Sequence, residues 1–247
     1  MSNFLETGNM VQPLRNVAAL NQQILALRNR TFGLPGLGVF HGNTGYGKTF
    51  AATWAASRTG AIHVSVQKRW TARTLLEKIL VELKMPQNGT LQKLTDRTIQ
   101  GLRRADRALI IDEADYAVQR NLIDDIRDIQ DGAAVPVIMI GMSEFALKLA
   151  KWPLVYNRVL KWTPAVPADL KDARILAGHY AGGVQVADDL LMHVLERNEG
   201  SVRETCRDLD TIREHALQIG VKTLTHRDWG NTPFESGLLL APQGYQQ

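Results

Sequence analysis

The sequence predicts an α/β protein, a parallel five-stranded sheet with helices on both faces, followed by a small all-helical lid domain. Three observations carry this expectation. Short, continuously apolar segments alternate with stretches of helical periodicity, the pattern of strands buried on both sides. A glycine-rich loop follows the first of those strands and opens a helix. Past Pro164 and Pro167 only helical periodicity remains.

Taken in order, residues 16–30 place Val17, Leu20, Ile24 and Leu27 on one helical stripe, and the glycines and proline of 31–38 end that helix. Residues 37–41 read as a short buried strand and 48–58 as a helix. The β-branched run 61–66 reads as a second strand. A helix over 71–84 carries Leu75, Leu76, Ile79, Leu80 and Leu83, and a further helix covers 90–105 after the Pro86, Asn88 and Gly89 break. Strands are expected at 108–112, 135–140 and 159–162, with helices at 116–131 and 143–150 between them. In the final third, Val186, Leu190, Leu191, Val194 and Leu195 form one stripe, and Val202, Cys206, Leu209, Ile212 and Ala216 another. Ser201 and Glu204 have the spacing of a capping box. The expected division is an N-terminal helix and linker at 1–30, the α/β domain at 31–165, the helical lid at 166–231 and a loosely ordered tail at 232–247.

Composition narrows the class. The chain has 247 residues, 45% of them hydrophobic and 22% charged, which suits a folded globular protein rather than a disordered one. It has no apolar run of transmembrane length, and its first residues lack the basic and apolar regions of a secretory signal, so a cytoplasmic protein with no membrane partner is expected. The net charge of +4 permits an acidic partner without demanding one. The single cysteine, Cys206, reads as a small buried apolar residue. The six histidines show no metal-ligand spacing.

Gly42, Asn43, Thr44, Gly45, Tyr46, Gly47, Lys48 and Thr49 fit G-x-x-x-x-G-K-[ST] at every fixed position, between an apolar strand and a helix. Glycines let the backbone curl so that its N–H groups face inward around a phosphate, and the helix dipole adds positive potential. Lys48 is expected to neutralise phosphate oxygens of ATP, and the Thr49 hydroxyl to be a ligand of Mg²⁺. The apolar strand at 108–112 ends in Asp112 and Glu113. Ionised groups there are costly unless something positive compensates them, and a metal-nucleotide would do so. Asp112 is read as a metal ligand and Glu113 as the general base; both also suit a solvated helix cap. Asp115 reads as a cap or surface acid.

With these motifs the chain resembles the AAA+ ATPases among P-loop NTPases. The resemblance implies a polar sensor after the strand 135–140; Met142 occupies the expected position, so the role moves to Ser143. It implies an arginine finger at Arg158 and a second sensor at Arg203, although Arg158 also suits a surface charge and Arg203 a local ion pair. Within AAA+ proteins, the short length, the loop at 42–49, the strand at 109–115, the turn at 141–144 and the element Thr225–Trp229 resemble the transposition protein B family of Mu-like bacteriophages. That resemblance implies an ATPase that binds duplex DNA without sequence preference in the bacterial host cytoplasm. It would self-assemble into filaments, stimulate a transposase and leave DNA on hydrolysis. The extra N-terminal DNA-binding domain of the Mu protein is expected to be absent here or reduced to one helix. Candidate DNA contacts are Lys68, Arg69 and Arg73, and the cluster containing Arg97, Arg103 and Arg104, each of which also reads as a solvated face. Rival expectations are a helicase-loader or initiator-like ATPase acting on a protein ring, and the ATPase of a membrane export system.

Overall fold

The computed structural model describes residues 13–234. The part of the expected tail beyond Phe234 and the start of the N-terminal segment lie outside the described residues. The chain forms two compact units, one of them Asn16–Val166 and the other built, among the described residues, mainly from Pro167 onward. The sequence reading set residues 1–30 apart, whereas Asn16 and all that follows it in the first helix group with the α/β unit.

The α/β unit runs α1 (Arg15–Arg28), β1 (Leu37–His41), α2 (Lys48–Thr59), β2 (Ile62–Ser65), α3 (Ala72–Glu82), α4 (Leu91–Ala105), β3 (Leu109–Asp112), α5 (Ala114–Gln119), α6 (Ile123–Ala133), β4 (Val137–Gly141), α7 (Phe145–Leu149), α8 (Pro153–Tyr156) and β5 (Val159–Pro164). The five strands lie in the order β2-β3-β4-β1-β5 and every pairing is parallel. All strands therefore end on the same side of the sheet, where His41 leads into the glycine loop and Asp112 closes β3. One broad core fills the face that carries Leu37, Val39, Ile62, Val64, Leu109, Ile111, Val137 and Met139, against Leu75, Leu76, Ile79, Leu94, Ile126 and Phe145.

The expected single helix over 116–131 is two helices. Asn121 adopts φ 55°, a left-handed conformation that interrupts the ladder, and α6 restarts after it. α1 buries Val17, Leu20, Ile24 and Leu27 as its stripe predicts, together with two polar residues, Asn16 and Gln23. Gln23 Nε2 donates to Val39 O at 3.0 Å and to Lys161 O at 2.9 Å, so one amide spans β1 and β5. The approach is close enough that a Cβ at Gly38 would lie 2.7 Å from Leu27 Cδ1 and 2.9 Å from Gln23 Nε2.

The second unit contains α9 (Leu170–Tyr180), β6 (Gln185–Val186), α10 (Asp188–Arg197), α11 (Val202–Ile219), β7 (Thr223–Leu224) and α12 (His226–Trp229). It is not purely helical. Val186, assigned by periodicity to a helical stripe, lies in β6, which pairs in parallel with β7. Two-residue strands are too short to imprint an alternation on the sequence. On α11 the buried positions are Thr205, Asp208, Leu209, Ile212 and Ala216, while Val202 and Cys206 are half-buried. Ser201 accepts from Glu204 N, but reciprocal capping boxes form elsewhere, at Asp169 with Asp172 and at Thr225 with Asp228. Burial pushes the Cys206 thiol up to about 11, which keeps it protonated.

Gly38→Ala is expected to destabilise the α/β unit by about 1–3 kcal/mol, because α1 must move outward to admit one methyl group. The midpoint of urea denaturation, read against the unsubstituted protein, checks this.

Candidate nucleotide site

The loop from Gly42 to Thr49 leaves β1 and curls into α2. Gly45 has φ 85° and Gly47 φ 77°, conformations open to glycine at little cost. Gly42 answers a different need. A Cβ there would lie 2.8 Å from Ala165 Cβ and 3.0 Å from Ala165 O, so the loop is pressed against the chain that leaves β5. Gly42 N also donates to Gly141 O at 3.3 Å, tying the loop to the end of β4.

Lys48 Nζ donates to Gly42 O and to Asn43 O, each at 2.7 Å, so the ammonium group sits inside the curl of its own loop. Asn16 braces the loop from outside. Its side chain donates to Tyr46 O at 2.7 Å and to Val166 O at 2.8 Å, and accepts from Val166 N at 2.9 Å. At 6% exposure, this one side chain joins α1, the glycine loop and the segment after β5. Sequence reasoning passed over Asn16; the available signal was a polar residue beside the apolar stripe of a helix.

Asp112 ends β3 and is 3% exposed. Its Oδ1 accepts from Glu113 N at 2.9 Å. Oδ2 is buried without a hydrogen-bond partner among the described residues, with His63 Nε2 3.7 Å away. Burial pushes this carboxyl up, but the His63 and Thr49 side chains and the Glu113 N–H beside it outweigh that and hold it below the ordinary carboxylate value. A buried, ionised oxygen lacking a donor, next to a threonine hydroxyl, is a donor set that fits a hard cation such as Mg²⁺. Glu113 follows with φ 55° and an exposed side chain, and it forms the N-cap position of α5. A non-glycine residue in that region is strained, and the strain turns Glu113 away from the direction of the strand.

Asp115 is not the surface acid expected from the sequence. It is 6% exposed, and its carboxylate accepts from Met142 N and from Lys148 Nζ, both at 2.7 Å. In the turn after β4, Met142 is the residue that approaches the glycine loop, with Sδ 4.0 Å from Thr44 Oγ1. Ser143 is exposed.

Arg158 precedes β5, whose first residue pairs with Leu37 at the start of β1. It is therefore separated from the glycine loop by the length of β1, roughly 15 Å. Its guanidinium contacts Asp131 at 3.5 Å and donates to Leu154 O at 2.9 Å. Arg203 lies exposed in the first turn of α11, in the other unit. The preceding Gly200 has φ 69°, and a Cβ on it would strike Pro167 and Ala168.

The candidate DNA contacts divide into two groups. Lys68, Arg69 and Arg104 are exposed, as are Arg73 and Arg103, while Arg97 is half-buried. Arg73 donates to Glu77 and Gly89 O, Arg97 to Pro86 O and Asn88 O, and Arg103 to Gly132 O, so these three guanidiniums brace turns of their own unit. Trp70 packs in the core.

Residues 31–149 match the family described as AAA domain. No curated protein matches the chain. Among solved structures, the ORC1 protein of Aeropyrum pernix in complex with DNA is similar at 22% identity and a TM-score of 0.59, over 86% of this chain and 62% of that one. The ADP form of the ORC2 protein of Aeropyrum pernix is similar at 17% identity and a TM-score of 0.62, over 91% and 68%. Cdc6p from Pyrobaculum aerophilum is similar at 17% identity and a TM-score of 0.58, over 88% and 66%. The chain thus spans less than two thirds of the ORC1 and Cdc6p chains. The five-stranded parallel sheet with its glycine loop is the P-loop AAA+ fold, as the sequence resemblance implied.

Asn16→Ala is expected to cost about 1–3 kcal/mol of stability, because Tyr46 O and both Val166 backbone groups lose a buried partner. It should also weaken ATP binding by loosening the loop. Chemical denaturation and calorimetric titration with ATP check the two effects.

Proposed function

We propose that this chain is an ATP-hydrolysing AAA+ protein that acts on DNA, in the manner of an initiator or helicase loader, and assembles with further copies of itself. The observation that carries this reading is the convergence of the Lys48 loop, Thr49 and the buried Asp112 carboxylate at one end of a parallel sheet. His63, Thr49 and the Glu113 N–H favour the ionised carboxylate, and its buried Oδ2 keeps no hydrogen-bond donor of its own.

The residues divide the work. Gly42, Asn43, Thr44, Gly45, Tyr46, Gly47, Lys48 and Thr49 hold the triphosphate, with Lys48 exchanging the carbonyls of Gly42 and Asn43 for phosphate oxygens. Thr49 and Asp112 would hold Mg²⁺, which would supply positive charge against the phosphates of the nucleotide. Glu113 orients a water and accepts its proton at the carboxylate. Ser143 and Arg203 are the proposed polar contacts to nucleotide from the turn after β4 and from the helical unit. Arg158, on the far side of β1 from its own loop, serves the site of a neighbouring copy, which makes assembly a condition of turnover.

The DNA part of the reading is supported by the shared fold with ORC and Cdc6 proteins, one of them in complex with DNA, and by exposed Lys68, Arg69 and Arg104. The transposition reading stands second. Its support is the resemblance of the 42–49 loop, the 141–144 turn and Thr225–Trp229, while the structures named above are ORC and Cdc6 proteins rather than transposition ATPases. Electron microscopy with ATP and linear duplex DNA separates the two. Discrete assemblies that need a protein partner favour the loader, and continuous DNA-coated filaments favour the transposition ATPase. Among the described residues no helix is long and apolar enough to cross a membrane.

Lys48→Ala should abolish ATP binding, and Glu113→Gln should bind ATP normally while hydrolysing it about 10²–10⁴-fold more slowly. Calorimetry and phosphate release read the pair; unchanged turnover in Glu113→Gln would remove it as the base. Arg158→Ala should keep ATP affinity and lose on the order of 10³-fold in turnover. Mixing it with Lys48→Ala should recover activity, since each variant supplies what the other lacks.

A further inference from the structure

Gly141 is forced to be glycine, because a Cβ there would lie 2.5 Å from the Phe145 ring, and the chain turns beneath that ring before α7 begins. The first amide of the turn, Met142 N, is not bonded to a neighbouring strand. It donates to Asp115 Oδ2 at 2.7 Å, while Asp115 Oδ1 accepts from Lys148 Nζ at 2.7 Å on α7. One buried carboxylate thus holds the first amide of the turn and, through Lys148, the helix that follows it, from the helix that Glu113 caps. The Asp115 hydrogen bond is the leading cause that raises the Lys148 ammonium above its ordinary value.

We propose that Asp115 is a positioning residue for hydrolysis: it locks the Met142–Ser143 turn to the Glu113 helix, so that the general base and the γ-phosphate side of the site keep one geometry. The proposal rests on the ATPase reading above. Asp115 touches neither nucleotide nor water. It acts through Met142, whose sulfur faces Thr44 in the glycine loop, and through the start of α5, two residues after Glu113. A carboxylate suits the task because one side chain can accept from a backbone amide and from an ammonium at once, and both bonds are charge-assisted. Lys148 serves as the counter-charge that lets an ionised Asp115 be buried.

The test measures ATP affinity by calorimetry, turnover by phosphate release, and thermal unfolding for Asp115→Ala, Asp115→Asn and Lys148→Met in the full chain. Asp115→Ala is expected to lose about tenfold or more in kcat with Kd for ATP within about twofold, the signature of an interaction made for the transition state. Asp115→Asn keeps an oxygen for Met142 N–H and should recover most of the lost turnover; it also serves if the alanine variant fails to fold. Lys148→Met leaves the amide bond in place and should resemble Asp115→Asn. Unchanged kcat in a folded Asp115→Ala overturns the proposal. So does a loss of ATP affinity in step with kcat, or a fall in unfolding temperature with normal turnover, since either makes Asp115 a plain brace. An unsubstituted chain that binds ATP but shows no turnover with DNA present overturns the ATPase reading as well, which separates the two failures.

Discussion

Between β1 and α2 the backbone has to curl inward within six residues while lying against Ala165, and that geometry governs the rest of the α/β unit. Gly45 and Gly47 take left-handed conformations, and Gly42 has no room for a side chain. The curl places α2 over the sheet end where Asp112 emerges, and it brings Thr49 beside that carboxylate. Asn16 holds the outside of the curl through Tyr46 O. Loop and first helix are therefore one mechanical assembly joined by hydrogen bonds of ordinary length, with the Asp112 carboxylate beside Thr49 at its inner edge.

The second organising fact is electrostatic. Two acids close β3, and they are treated in opposite ways. Asp112 is buried, kept ionised and left with an oxygen lacking a donor. Glu113 is exposed on a strained residue. Adjacent carboxylates in such different surroundings suit different tasks, one for a fixed cation and one for a mobile proton. A third acid, Asp115, is buried again but fully engaged. The run Asp112–Glu113–Ala114–Asp115 thus holds three carboxylates with three environments, set by whether each faces the sheet end, the solvent or the turn after β4.

Legibility in the sequence followed the strength of the local signal. The five strands of the main sheet and the glycine loop were readable because buried parallel strands are continuously apolar and the loop spacing has few other uses. The order of the strands was not readable, since it depends on contacts between segments far apart in the chain. Asn121 broke a helix that periodicity ran together, because asparagine tolerates the left-handed region without announcing it. The short β6–β7 pair left no alternation to see. At the site, the glycine loop and the two acids at the end of β3 were named from the motifs, but Asn16, Gln23 and Asp115 were missed or misread. They act through buried hydrogen bonds to backbone atoms, and nothing in their spacing marks the partner. The basic residues show the converse limit: Arg73, Arg97 and Arg103 look like Lys68 and Arg69 on paper, yet they are held by carbonyls of nearby turns.

The hold of Lys48 on Gly42 O and Asn43 O has a consequence of its own. The ammonium group acts as a resident cation that neutralises the inward carbonyl dipoles of its own loop. On the proposed nucleotide reading, arrival of a phosphate is an exchange of partners around a charge already in position, rather than the recruitment of a side chain from solvent. The positive charge of the loop is thus fixed in place by its own carbonyls, on the residue that the proposed reading sets against the phosphate.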